Sequence, residues 1–309
     1  MAAFTDLSLA LALAGGTLGG MRPLDIALAL AVTLIWGMAF VITRTALDSL
    51  SPALLMAVRF VVSALPVLFV PRPAIGWRQL TAIGASLFLG QFLFQFIGIA
   101  WGVPPGLAAV IVQSQALFTV GFAAVLIGQV PTIRQAGGLV LASCGLVAIA
   151  LTSGVEFSFA AFMLILISPI CFALGNILMK RAGATDMVAL VAWASLVPPL
   201  PGLALALVTE GPAGIAQALI DTSAAGWLSA LYLGLVATTL GYALWGRLVA
   251  RYPAATVAPF ALMVPFVGAG ASAIVFGETF GPLRLAGMAL VLGGLAILIS
   301  AARPAGLSR

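Results

Sequence analysis

Long stretches of this chain are apolar on every side. Runs such as LVLASCGLVAIAL at 139–151 and LILISPICFALGNIL at 164–178 lack the alternation of a half-buried strand and the polar stripe of a surface helix. A hydrocarbon core of roughly 30 Å is crossed by about 20 helical residues. Such windows fall at 24–45, 53–70, 77–100, 104–127, 132–152, 157–180, 187–208, 225–249, 254–276 and 283–302. The pattern predicts an all-α integral membrane protein with ten transmembrane helices.

Composition agrees, and it removes several classes of function. Of 309 residues, 63% are hydrophobic, 7% are charged and none is histidine. A soluble globule could not hide so much apolar surface. Cys144 and Cys171 lie inside predicted spans without Cys-x-x-Cys spacing, so neither a redox relay nor a metal site is expected. No catalytic pairing of Ser with His, paired membrane aspartates or Asp-rich metal motif is present, which argues against an intramembrane enzyme, and no cofactor is implied. Residues 1–20 carry Asp6 and no basic residue, a poor secretory signal. They are expected to be a disordered extension or a start-site artefact ahead of Met21.

Charge sets an expected orientation. With a cytoplasmic N-terminus, Arg22, Arg72, Arg78, Arg134, Lys180, Arg181, Arg247, Arg251, Arg303 and Arg309 lie inside, and only Arg44 and Arg284 lie outside. Arg59 is left within a span. By the positive-inside rule both termini are cytoplasmic. The lipid bilayer thus accounts for the net charge of +5, and no nucleic-acid partner is needed.

The chain also repeats itself. SLFLGQFLFQFIGIAWG at 86–102 returns as ALYLGLVATTLGYALWG at 230–246, so Leu89-Gly90 matches Leu233-Gly234 and Trp101-Gly102 matches Trp245-Gly246 at a shift of 144. Earlier the shift is 136, pairing Trp36 with Phe172 and Arg44 with Lys180. Later it is 149, pairing Gln129 with Glu278, and Gly138 and Gly145 with Gly287 and Gly294. Shifts that change only between helices are loop insertions. Five spans per half is an odd number, so the halves are inverted, and alternating access can arise as they exchange shapes.

IWGMAFVITR at 35–44, Arg59-Phe60, GQVPTIRQAGGLVLASCG at 128–145 and GETFGPLRLAGMALVLGG at 277–294 carry a resemblance. The chain resembles the drug/metabolite transporter superfamily, in its ten-helix type with two EamA domains, here 21–152 and 153–309. Within it, the chain is most similar to bacterial amino-acid exporters, including exporters of aromatic amino acids. The resemblance implies efflux across the inner membrane through a cavity lined mainly by spans 1, 3, 4, 6, 8 and 9. Gln129 departs from the pattern, since its own repeat has Glu278.

Polar side chains inside a membrane are costly and are candidates for function. Gln91, Gln95, Gly98 and Gly102 form one helical stripe, and Thr238, Tyr242 and Trp245 form another on the repeat-related span. Trp101, the partner of Trp245, is assigned to the same cavity. Trp36 and Asn176 sit near repeat-related positions. Gln113 and Gln115 point roughly 200° apart, so at most one faces inward, and Gln115 is preferred. Each amide could instead bond a neighbouring helix.

Uncharged amides, hydroxyls and aromatic faces suit a ligand whose charges cancel, such as an amino-acid zwitterion. A multidrug or lipophilic-metabolite exporter of the same fold is the alternative; it would call for a buried acid, and none is evident. Arg59 is read as structural. Pro169, Pro259 and Pro265 are candidate hinges, Pro169 by interrupting the sixth span, and Arg44 and Lys180 are either gates or interface anchors. No His, Asp or Glu lies at a span centre, so gradient-driven transport is expected. The glycine stripes read as a scaffold or a dimer face, compatible with a monomer or a homodimer.

Overall fold

A computed structural model describes residues 21–154, 157–183 and 186–301. The expectation for residues 1–20 lies outside the described residues. Among the described residues, ten apolar helices account for the ten expected spans: α1 Pro23–Ala46, α2 Pro52–Leu68, α3 Trp77–Ala100, α4 Pro105–Ile127, α5 Ile133–Ala150, α6 Phe159–Ala182, α7 Met187–Asp221, α8 Ala224–Arg251, α9 Thr256–Phe276 and α10 Pro282–Ser300. All but α2 reach membrane length as helices of 18 residues or more.

Their ends follow from local chemistry. Ser51, Ser158, Asp186 and Ser223 accept backbone N–H groups as N-caps of α2, α6, α7 and α8. Thr132 and Gln135 form a capping box at α5. Gly128 and Gly277, partners in the repeat, end α4 and α9 in the left-handed conformation, with φ of 72° and 65°. Within α7 the helical path turns at Gly211 (φ 71°), ahead of Pro212, so the expected loop after residue 208 is instead a further helical stretch reaching Asp221.

The inversion of the halves is visible where α5 meets α10. A Cβ added at Gly138 would lie 2.8 Å from the Gly294 carbonyl, and one added at Gly145 would lie 2.6 Å from that of Gly287. The repeat pairs Gly138 with Gly287 and Gly145 with Gly294, so each contact is the image of the other. Only helices running antiparallel about a two-fold axis meet this way. The glycines therefore serve as an intramolecular scaffold, letting the two backbones touch.

The interruptions recur as well. α4 loses helical pairing at Gln113 and Ser114, and α9 does so at Met263, the repeat partner of Ser114. π-helical turns occupy Gly84–Gly90 in α3 and Tyr232–Leu240 in α8. Such turns leave backbone carbonyls short of a partner and cluster at functional sites. By contrast, α6 runs unbroken through Pro169, which therefore does not interrupt the sixth span as expected.

Candidate functional site

These irregular helices surround a cavity of about 320 Å³. Its walls come from α1 (Trp36, Ala39, Phe40), α2 (Arg59), α3 (Gln91, Phe92, Gln95), α4 (Val112, Gln113, Gln115), α6 (Phe172, Asn176, Met179), α7 (Met187), α8 (Ala237, Tyr242, Trp245) and α9 (Ala261, Val264). Both halves contribute. A second depression, on the outer face of α5, is lined by Leu139, Val140, Ser143, Cys144 and Val147 and belongs to the apolar, lipid-facing surface.

One wall is aromatic. The Trp36 ring lies 5.4 Å from both Tyr242 and Trp245, and Tyr242 meets Phe88 edge-on at 5.8 Å. Backbone irregularity holds Trp36 in place. At the end of the π turn the Gly241 N–H bonds Val236 and Thr238, so the Ala237 carbonyl is taken by the Trp36 indole N–H at 2.9 Å. Gly241 makes room for that ring, because an added Cβ would stand 2.6 Å from Trp36 Nε1.

Another part of the lining is built of amides. Where α4 breaks, Gln113 Nε2 donates to the Ala261 carbonyl at 2.9 Å, tying this interruption to α9 beside its own break. Gln115 Nε2 donates to Gln113 Oε1 at 3.4 Å. Both glutamines reach the cavity, contrary to the expectation that only one could. The rule of 100° per residue fails because the helix is broken between them.

Arg59 is the residue that spacing alone misplaces. It is 2% exposed and forms part of the cavity wall, not a contact with the surrounding lipid. Nε and Nη2 both donate to Thr238 Oγ1, at 3.2 and 3.0 Å, and the guanidinium carbon lies 3.9 Å from the Phe92 ring centroid. Thr238 is fully buried and absent from the lining, so it positions Arg59 from behind. The Thr238 hydroxyl donates to the Leu233 carbonyl five residues back, a bond suited to the π register.

Trp101 departs from expectation too. It stands just past the end of α3, is 58% exposed and lies outside the cavity. Of the candidate gates, Arg44 forms an exposed i,i+4 ion pair with Asp48 on the same stretch of chain. Lys180 does reach across, donating to Gln129 Oε1 at 3.0 Å. Pro259 lies within the first segment of α9, and Pro265 opens the second.

The two ends of the cavity differ. Toward the turn between α3 and α4 lies a packed layer of Ile99, Val103, Leu107 and Phe162, none more than 3% exposed. There Glu278 seals the start of α4, accepting the Gly106 N–H at 3.0 Å, the Leu107 N–H at 3.3 Å and the Ser272 hydroxyl. Burial pushes the Glu278 carboxyl above its ordinary value, against the lowering effect of those donors and of Arg284. At the other end the lining reaches half-buried Met179, Met187 and Trp245, close to exposed Lys180 and Arg181. Near the start of α1 the buried Asp25 carboxylate accepts from the Tyr252 hydroxyl at 2.7 Å and from Arg251 at 3.1 Å, tying α1 to the end of α8.

A membrane bundle of two inverted halves around a central, mostly apolar cavity has the architecture of an alternating-access transporter. The chain belongs to the EamA-like transporter family, which matches residues 24–151 and 159–300. It is 38% identical over 277 residues to a protein of Salmonella typhimurium named "Probable amino-acid metabolite efflux pump", covering 87% of this chain and 93% of that one. An Escherichia coli protein of the same name is 34% identical over 88% of this chain and 94% of its own. A "Probable terminal-alkyne amino-acid exporter" of Streptantibioticus cattleyicolor is 30% identical over 87% of this chain and 92% of its own. A crystal structure 18% identical to this chain aligns with a TM-score of 0.59, covering 90% of this chain and 96% of that one, and shares its fold.

Proposed function

We propose that this protein exports amino acids with neutral or aromatic side chains from the cytoplasm across the bacterial inner membrane. In this reading both termini are cytoplasmic, and 21–152 and 153–309 are the two EamA repeats. Transport proceeds by exchange of shape between them, down the substrate gradient and without covalent chemistry. The observation that carries the reading is the cavity itself. Its volume of about 320 Å³ lies at the lower end of the roughly 300–1,000 Å³ of small-molecule sites, and it combines Gln91, Gln95, Gln115 and Asn176 with an aromatic and aliphatic wall.

The names of the relatives support the same reading. The asymmetry of the ends supports a cavity entered from the cytoplasm in this conformation. The test is efflux from proteoliposomes loaded in turn with each of the twenty amino acids and with a lipophilic cation. Faster release of neutral or aromatic amino acids than from protein-free liposomes is expected. Release of the cation with no amino acid moved would replace this reading with multidrug export.

A further inference from the structure

The cavity holds a charge that the protein leaves unbalanced. Among the described residues the ion pairs are Arg44 with Asp48 and Arg251 with Asp25, and Arg59 has no carboxylate in range. Its hydrogen bonds go to one hydroxyl, Thr238, and its faces meet Phe92, Phe60 and Phe96. A guanidinium carries five N–H donors and stays protonated. Held inside a membrane protein without a counter-ion, it calls for an anion.

The same cavity carries the complementary deficit. Gln115 is oriented by the chain of bonds from Gln115 Nε2 to Gln113 and from Gln113 Nε2 to the Ala261 carbonyl. That orientation leaves Gln115 Oε1 buried with no donor, and Gln91 Oε1 is in the same condition. An unfilled buried acceptor is unfavourable until a ligand donor arrives. One cation and two open carbonyl oxygens line one cavity.

We infer that Arg59 is the carboxylate anchor of the transport site, and that Gln91 Oε1 and Gln115 Oε1 receive the ammonium group of the same ligand. The inference rests on the export reading above and narrows it to molecules bearing both a free α-carboxylate and a free amine. Thr238 is a positioning residue for Arg59. Amino-acid amides and decarboxylated amines lack the anion and are excluded, as are lipophilic cations, which meet a like charge.

The test compares phenylalanine, phenylalaninamide, phenethylamine and 3-phenylpropanoate on the wild-type protein, by thermal stabilisation in detergent and by efflux from proteoliposomes. At least a tenfold weaker response to the amide and the amine than to phenylalanine is expected, with 3-phenylpropanoate retaining more than the amine. In Arg59→Gln the preference for phenylalanine over its amide should fall toward one, and Arg59→Lys should restore part of it. Equal responses to phenylalanine and its amide in the wild type overturn the inference, whether or not Arg59→Gln folds. If phenylalanine is not moved, the export reading fails for that substrate. The anchor is then judged by stabilisation alone, and equal effects of 3-phenylpropanoate and phenethylamine, including none from either, overturn it.

Discussion

Helices α5 and α10 are copies of one stretch of sequence, and α3 and α8 are copies of another, yet the first pair keeps its contact residues while the second has diverged between its shared Leu-Gly and Trp-Gly ends. α5 and α10 meet glycine to glycine, and each contact reproduces the other through the two-fold axis. α3 and α8 differ where they matter most. At Gly98, α3 closes on α6, so that an added Cβ would stand 2.5 Å from Ile165 Cβ. The equivalent residue on α8 is Tyr242, whose ring stands against Trp36 on α1 and helps to wall the cavity. Copies that pack on each other are constrained alike, because a change in one must be met in the other. Copies that line the cavity are free to differ.

The largest effect is expected where the copies agree. Gly145→Leu drives a side chain into the Gly287 carbonyl and the Val291 N–H, both backbone atoms 2.6 Å from the added Cβ. Overpacking against backbone atoms that cannot rotate away costs more than the roughly 1–3 kcal/mol of an ordinary overpacked core. Loss of folded protein in size-exclusion chromatography is expected; unchanged yield and melting would break the scaffold side of the comparison.

A smaller and more selective effect is expected at the diverged pair. Tyr242→Gly makes α8 resemble α3, removes the ring between α8 and α1, and should cost about 2–3 kcal/mol as a half-buried aromatic deletion. Amino-acid efflux should fall at least tenfold in protein that still folds. Full efflux would mean that the divergence has no part in transport.

The smallest effect concerns the turns Gln129 and Glu278, which also differ between halves. Burial raises the Glu278 carboxyl above 4.5, so the folded chain holds a proton that the unfolded chain has released. Stability therefore falls as pH rises from the usual carboxylate value through the raised one, and is flat beyond both. Melting of the wild type at intervals across that range should show the decline, and Glu278→Gln should flatten it.

Much of this was legible in residue order. The ten spans, the odd number per half and the spaced glycines follow from hydropathy and spacing, because every backbone group in lipid must be paired within its helix. Gln91 and Gln95 share a stripe by ordinary helical geometry, and both line the cavity. Thr238 does not share a face with Tyr242 and Trp245, because it lies inside a π turn, and an extra residue in a turn rotates everything before it. Trp101 falls beyond the last helical residue of α3, so the stripe had already ended. Neither glycine nor proline marks the break at Gln113 and Ser114. Arg59 is placed by Phe92 and Thr238, which lie on other helices and are invisible to periodicity along its own.

The central claim is that the cavity between the halves is the amino-acid site. It is tested most directly by placing a single cysteine at Ala261, a small residue of the lining, after Cys144 and Cys171 are replaced by Ala or Ser. A membrane-impermeant maleimide should modify Ala261→Cys from the face that bears Lys180, and an exported amino acid should slow that reaction at least tenfold. A reaction rate that none of the twenty amino acids alters would contradict the account.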